Sequence, residues 1–373
     1  MATSWTHTGY AQRIVFGLDA LDSAEEVVKG VGGRRVLLVT TAGRRQSPAG
    51  ERLAKVLGRR LVSTFDGVRA HVPTTAVEAA FSQAQADEID SVVSFGGGSC
   101  ADLGKAVCFF TEQRAGVPGA SYADRPAIAH VAIPTTYSGA ELTPFFGMTD
   151  TAAHRKTGAG GPTIAPLAAI YDPIVTLDLS VQVSAETGMN ALAHGVECAY
   201  SRARTPEAGA IALEAVRRVG AALPAVAGDP SSLTARTAML EGAVLGGRCL
   251  QNATMGAHHG LAQLLGGRTG MPHGLANAIL LTHVLRWNAE AVPGGVPDEA
   301  RRIGEALGDP DDPAGAVDRL RAAIGLPGRL SEVGISADDI DAVVRQSPEN
   351  FSIANNPRPV SQDDARTILE SAF

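Results

Sequence analysis

The sequence is poor in the features that would assign it at a glance. It has four cysteines in 373 residues. These are Cys100, Cys108, Cys198 and Cys249, with no Cys-x-x-Cys pair among them, so neither a zinc knuckle nor a disulfide framework is indicated. Positive charge is not in excess: 32 lysines and arginines against 39 aspartates and glutamates leave a formal net charge of −7. That balance argues against a general nucleic-acid binder, which needs a basic face to meet phosphates. No apolar run approaches the roughly 18 residues that would span a bilayer. The opening MATSWTHTGY lacks the charged-then-apolar order of a secretory signal. There is no internal repeat and no low-complexity tract. With nucleic acid and membrane excluded as partners, a cytoplasmic protein acting on a small molecule is expected.

What is present is ordinary in bulk and patterned in detail. At 373 residues the chain exceeds the usual single core, and 45% hydrophobic with 19% charged residues is a normal soluble composition. The first half alternates strand and helix patterns. RIVFG at Arg13–Gly17, RVLLVT at Arg35–Thr40, Arg60–Phe65, SVVSF at Ser91–Phe95, AIAHVAI at Ala127–Ile133 and Ala168–Tyr171 read as strands. Ala24–Gly30, Pro48–Leu57, Thr75–Ala86 and Asp102–Phe110 read as helices between them. Such alternation implies a parallel sheet covered on both faces. From about Pro173 the strand signals vanish and eight helical patterns follow, from Ser184–Tyr200 to Ser336–Arg345. The expected division is an α/β nucleotide-binding domain over 1–172 and an all-α domain over 173–373.

Two turns in the first half look built for an anion. Gly96-Gly97-Gly98-Ser99 ends a strand and opens a helix, where unpaired N–H groups and the helix dipole favour a phosphate. Pro134-Thr135-Thr136-Tyr137-Ser138-Gly139 follows the next strand, with hydroxyls clustered where a parallel sheet binds its ligands. The plainer reading, two structural Gly- and Ser/Thr-rich turns, accounts for either alone but less well for both. After the second strand, where nucleotide folds often place an acid on the ribose, stand Thr41, Arg44 and Arg45. Nothing there repels a phosphorylated ribose, although both arginines would also serve as solvated surface residues.

The second half is organised around Met255–His283, MGAHHGLAQLLGGRTGMPHGLANAILLTH. Here His258, His259 and His273 precede the closing His283 in an apolar, Gly-rich segment. His259 and Gln263 are four apart and share a helix face, as do Asn190 and His194 in GMNALAHGVE. A lone histidine is usually a satisfied core or surface residue. Four polar groups at helical spacing in apolar helices point instead to one buried cluster of imidazoles and an amide.

With GGGSCADLGK, IPTTYSGAELTPFFG, GMNALAHGVE, HHGLAQLLGG and MPHG in that order, the chain resembles the iron-containing alcohol dehydrogenase superfamily. Within it, the chain is most similar to the maleylacetate reductases. RIVFG, FDGVRAHVP at Phe65–Pro73 and NNPRPVS at Asn355–Ser361 extend the resemblance over nearly the whole chain. It implies an NAD(P)-binding domain, a helical domain and an active site in the cleft between them. The implied reaction is reduction of maleylacetate to 3-oxoadipate with NADH or NADPH, in bacterial aromatic degradation. The implied cofactor contacts are Gly97, Gly98, Ser99, Asp102, Thr135, Thr136 and Ser138, to which the position of Thr41 is added. Metal-dependent members bind iron or zinc through an Asp and three histidines, matched here by Asn190, His194, His259 and His273. Asn190 is a departure: a neutral amide loses the charge that a divalent ion rewards. The maleylacetate reductases are similar in carrying Asn there, so a centre without metal is expected. Gln263 is a second departure, standing where the family commonly has a His; its amide cannot serve as an acid. His273 is therefore the expected proton donor, with His259 and His194 shaping an anion site. Asn190, Gln263, His258, Lys156, Arg248 and Arg268 are the expected substrate contacts. A homodimer is the expected assembly. Two other readings stay open: a metal-dependent alcohol dehydrogenase or aldehyde reductase, and a non-redox lyase or synthase, since the dehydroquinate synthases share the fold.

Overall fold

The structure, a computed structural model, describes residues 9–116, 126–150 and 155–373. Residues 1–8 of the N-terminal stretch considered for a signal pattern lie outside them. The strands are β1 (Arg13–Phe16), β2 (Val36–Thr40), β3 (Leu61–Phe65), β4 (Ser91–Gly96), β5 (Ala129–Pro134), β6 (Phe145–Asp150), β7 (Arg155–Gly160) and β8 (Ala168–Tyr171). Six of them form one parallel sheet in the order β1-β8-β5-β4-β2-β3. Helices α1 (Ala24–Gly30), α2 (Ala42–Arg45), α3 (Pro48–Leu57), α4 (Thr74–Ala86) and α5 (Gly98–Arg114) accompany it. Side chains of successive strand residues leave the sheet on opposite faces, and this alternation divides the core in two. Leu37, Val39 and Val92 join Val77, Leu103 and Val107 of α4 and α5. Val36, Leu38, Val93 and Phe95 join Val27, Leu53 and Leu57 of α1 and α3. With both faces covered, β2, β4, β5 and β8 are buried along their whole length, which is why they read as unbroken apolar runs.

The sheet unit also holds a hairpin that was not anticipated. β6 and β7 form a separate antiparallel hairpin. Their sequences, FFGMTD and RKTGAG, carry glycine and threonine in place of a β-branched apolar run.

The second unit is helical: α6 (Val181–Tyr200), α7 (Pro206–Gly228), α8 (Leu233–Asn252), α9 (Ala257–Thr269), α10 (His273–Asn288), α11 (Pro297–Leu307), α12 (Pro313–Ala323), α13 (Ala337–Gln346), α14 (Phe351–Ala354) and α15 (Gln362–Ser371). The compact units divide after Asp178, close to the expected 172. Asp172 holds the chain at the end of the sheet unit. Its carboxylate caps the helical turn Pro173–Thr176 through Ile174 N–H at 3.0 Å and accepts Leu21 N–H at 3.2 Å, which ties this segment to the sheet.

Candidate active site

In the sheet unit the carboxyl ends of β2, β4 and β5 lie side by side, with Thr40 opposite Phe95 and Gly96 opposite Pro134. Gly96 turns the chain at φ +149°, and a Cβ on it would stand 2.4 Å from Cys100 Sγ, so the turn requires glycine. Thr135 N–H donates to the Gly96 carbonyl at 2.9 Å. A Cβ on Gly97 would lie 3.1 Å from Thr136, and one on Gly98 would lie 3.0 Å from Ser138 Oγ. The two motifs therefore form one surface, with hydroxyls against bare glycine backbone. α5 begins at Gly98 with no side-chain cap, leaving its first N–H groups and the positive end of its dipole for an anion. Thr136 Oγ1 is buried with no partner among the described residues, a donor in waiting at the same place. Ser99 is half-buried in the first turn of the helix.

Two expected cofactor contacts of this unit, Asp102 and Thr41, are engaged elsewhere. Asp102 pairs with the buried Lys105 at 2.8 Å and accepts Gly147 N–H at 3.3 Å. Lys105 also donates to Thr143 Oγ1 at 2.8 Å and the Ala140 carbonyl at 2.9 Å, so this pair fixes the loop after β5. Thr41 caps α2 by accepting Arg44 N–H at 3.2 Å. Arg44 lies 3.6 Å from Asp178, and Arg45 lies 2.7 Å from Asp66. Both arginines considered for a phosphorylated ribose thus have acidic partners. Lys156 stands on β7, exposed.

In the helical unit the predicted polar cluster forms across α6, α9 and α10. Asn190, His194 and Glu197 occupy one face of α6 and are buried. The His194 and His259 rings stack with centroids 4.9 Å apart, and His273 lies 5.7 Å from His259. Gly274 permits the approach of α10, since a Cβ there would stand 2.6 Å from the Glu186 carbonyl oxygen of α6. Gln263, one turn after His259, is half-buried and has no partner among the described residues.

Glu197 organises the cluster. Its carboxylate accepts the backbone N–H of Gly256 at 3.0 Å, His258 at 3.1 Å and His259 at 3.3 Å. Ala257 N–H goes to Asn356 Oδ1 at 3.1 Å, so the amides that open α9 are all satisfied and a negative charge meets the positive end of its dipole. The same carboxylate accepts from His259 Nδ1. Burial alone would raise the Glu197 pKa, but the adjoining His259 and His258 outweigh it and hold the group well below the usual carboxylate range. His258 Nε2 lies 2.9 Å from the Asn277 carbonyl, which can only accept, so His258 carries its proton on Nε2. His259 likewise carries its proton on Nδ1, which leaves Nε2 as a bare lone pair. Burial lowers the pKa of His259 and, with the charge of His259 added, that of His194 well below the ordinary value. Both are neutral imidazoles at neutral pH.

Comparison with known proteins adds the decisive observation. Residues 11–173 match the family described as iron-containing alcohol dehydrogenase, and residues 184–373 match the Fe-containing alcohol dehydrogenase family, C-terminal. The chain belongs to the iron-containing alcohol dehydrogenase family. It is an NAD(P)-dependent oxidoreductase, with the parallel-sheet and helical parts of that family. The chain is 35% identical to a maleylacetate reductase of Burkholderia cepacia, over 97% of this chain and 95% of that one. The crystal structure of maleylacetate reductase from Agrobacterium tumefaciens superposes with a TM-score of 0.87 at 32% identity, covering 100% of this chain and 99% of that one. Sulfoacetaldehyde reductase from Bifidobacterium kashiwanohense, solved in complex with NAD+, superposes at 0.88 with 25% identity, over 100% of this chain and 99% of that one. The relatives act on small molecules. No helix among the described residues is long and apolar enough to cross a membrane.

Membership in an iron-containing family raises the question of a metal, and the expectation of a centre without one is not supported. Among the described residues, the His, Cys, Asp or Glu group with ligand atoms within 4.8 Å of one another is Glu197, His258 and His259. Those atoms are already spent on one another and on the backbone. The buried nitrogens His194 Nδ1 and His259 Nε2 have no partner among the described residues. Buried imidazole nitrogens with a free lone pair are a donor type that suits a divalent cation. Asn190 beside them supplies no charge, and its Oδ1 accepts from Asn277 Nδ2.

The other expected substrate contacts separate by environment. His258 is fully buried and bonded to the Asn277 carbonyl, so it braces His259 and does not face a ligand. Arg268 pairs with Asp339 at 3.0 Å on the surface. Arg248 Nη1 meets the neutral amide of Gln251 at 2.6 Å. Sequence reasoning missed Glu197 and Asn277. Their spacing was a usable signal: Glu197 continues the Asn190–His194 face at i+7, and Asn277 stands four after His273.

Proposed function

We propose that the chain reduces a small carboxylated enone or keto acid with NADH or NADPH, and that the substrate is maleylacetate, converted to 3-oxoadipate in the breakdown of aromatic compounds. The glycine turn after β4 and the hydroxyls after β5 hold the pyrophosphate. Thr41 brings no carboxylate to reject a 2′-phosphate, which supports use of either cofactor. The hydride adds to the conjugated C=C carbon next to the carboxylate, and the electron pair moves onto the ketone oxygen as an enolate. Protonation of the adjacent carbon then gives the saturated keto acid, with one hydride and one proton taken up. The observation that carries this reading is the buried imidazole cluster across α6, α9 and α10. His259 commits its Nδ1–H to Glu197, His258 commits its Nε2–H to the Asn277 carbonyl, and burial keeps His194 neutral. His273, half-buried at the start of α10 with its ring 5.7 Å from that of His259, is the imidazole we assign as proton donor. Asn190 and Gln263 offer neutral amides to the substrate, and Arg248 is the cation we assign to a substrate carboxylate.

A second reading rests on the two bare nitrogens. A divalent ion on His194 and His259 would polarise a substrate oxygen as a Lewis acid, which suits a metal-dependent reductase of simple aldehydes. Absorbance of the reduced cofactor distinguishes them. Oxidation on addition of maleylacetate, undiminished by chelator and reduced about 100-fold in His273→Ala, supports the first. Oxidation only with an aldehyde and added metal supports the second. No oxidation with any carbonyl compound refutes both.

A further inference from the structure

α10 carries a second set of polar groups ten residues, or about 15 Å of helix, beyond His273. They line a cavity of about 750 Å³ between α10, α12, the turn before Ser331 and the end of α15, a volume within the range of small-molecule sites. The acids at its edge are occupied. Asp318 holds Arg321 at 3.0 Å, and Glu332 accepts the backbone N–H of Gly328 at 3.0 Å and Arg329 at 3.4 Å. Arg321 is further committed to the Leu326 carbonyl. The guanidinium groups of Arg286 and Arg329, by contrast, have no partner among the described residues, although both line the cavity. Thr282 also lines it, only 3% exposed, and its buried hydroxyl has no partner among the described residues.

His283 completes the set. Its Nδ1 lies 2.8 Å from Ser371 Oγ, whose own hydrogen goes to the Ile368 carbonyl at 2.7 Å. Ser371 therefore accepts, His283 carries its proton on Nδ1, and Nε2 becomes a second donor when the ring is protonated. Burial, and then the charge of Arg286, push His283 down to about 4, with Arg321 and Arg329 adding to the effect and Asp318 opposing it. Positive groups gathered in a cavity with their acids already spent describe a place that wants an anion. We propose that this cavity binds a small dianion, a phosphate ester or a dicarboxylate, through Arg286 and Arg329, with hydrogen bonds from Thr282 and His283.

The test is calorimetric titration of the full chain, saturated with NADH so that the glycine turn is filled, using glycerol 3-phosphate and succinate as probes. Arg286→Ala/Arg329→Ala serves as the control, because both side chains are exposed and neither belongs to the reaction machinery. We expect saturable binding of at least one probe, weakened tenfold or more in the double variant with turnover unchanged, and a His283 ring resonance that shifts on binding. Tighter binding of glycerol 3-phosphate identifies a phosphate ester as the ligand class, and tighter binding of succinate a dicarboxylate. The proposal is overturned if neither probe binds saturably, or if the double variant binds as well as the native chain.

Discussion

Glu197 receives the Nδ1 proton of His259 and three backbone N–H groups, so one carboxylate sets both the tautomer of an imidazole and the position of the helix that carries it. In Glu197→Gln the volume is kept, but a neutral amide replaces the charge that meets these donors. Turnover should fall roughly 10- to 100-fold, as for other groups that orient a reacting imidazole, while the KM for cofactor stays unchanged. Steady-state kinetics on a variant with a native circular dichroism spectrum checks this, and unaltered turnover would exclude the role. Asn190 makes the opposite case. Asn190→Asp places a carboxylate beside two bare nitrogens in a buried cluster, and should raise the zinc retained after gel filtration, measured by elemental analysis. Unchanged occupancy would mean that the nitrogens do not face a common ion. Asn190, His194, His259 and His273 were legible because polar residues at helical spacing stand out in apolar helices. Glu197 escaped because a single acid reads as a solvated residue until its burial is known. The engagement of Thr41, Arg44 and Arg45 was not legible either, because spacing does not reveal which acid an arginine meets.

At the scale of elements, the cluster depends on how closely α10 approaches α6. A Cβ on Gly274 would sit 2.6 Å from the Glu186 carbonyl oxygen, and backbone at that distance cannot yield as a side chain can. Gly274→Ala should cost about 1–3 kcal/mol of stability and also lower turnover by moving His273 at the helix start. A calorimetric melt with kinetics would show both effects, and a native melt with native turnover would contradict the close contact. The sheet strands were legible because burial on both faces demands continuous apolar runs. The β6–β7 hairpin was not, because its Gly- and Thr-rich strands lack that pattern. α15 was missed although Ser361 and Asp364 form a capping box at its start, a signal readable from the sequence alone.

The whole molecule should lose stability in acid from groups outside the reaction. His130 is buried against Ser94 at 2.8 Å, and burial, followed by the charge of Lys105, lowers its pKa to about 3. A depressed histidine binds fewer protons folded than unfolded. Its contribution is therefore whole above about pH 6.5 and declines as pH falls toward the folded value, reaching about 2 kcal/mol of loss at pH 5. The urea midpoint should drop between pH 7.5 and pH 5, and less steeply in His130→Gln; equal slopes would remove His130 as the cause. At this scale the sequence disclosed a sheet-bearing half and a helical half, since strand signals stop where the sheet does. The tie of the turn after β8 to Leu21 through Asp172 was not legible, being a contact 151 residues away in sequence.

The most direct measurement follows a deuteride from the 4-position of the reduced nicotinamide into the product of maleylacetate. The expected result is 3-oxoadipate with one non-exchanging deuterium on the methylene next to the carboxylate, formed one-for-one with oxidised cofactor. Cofactor oxidation without label in that product, or no 3-oxoadipate at all, would contradict the proposed reaction.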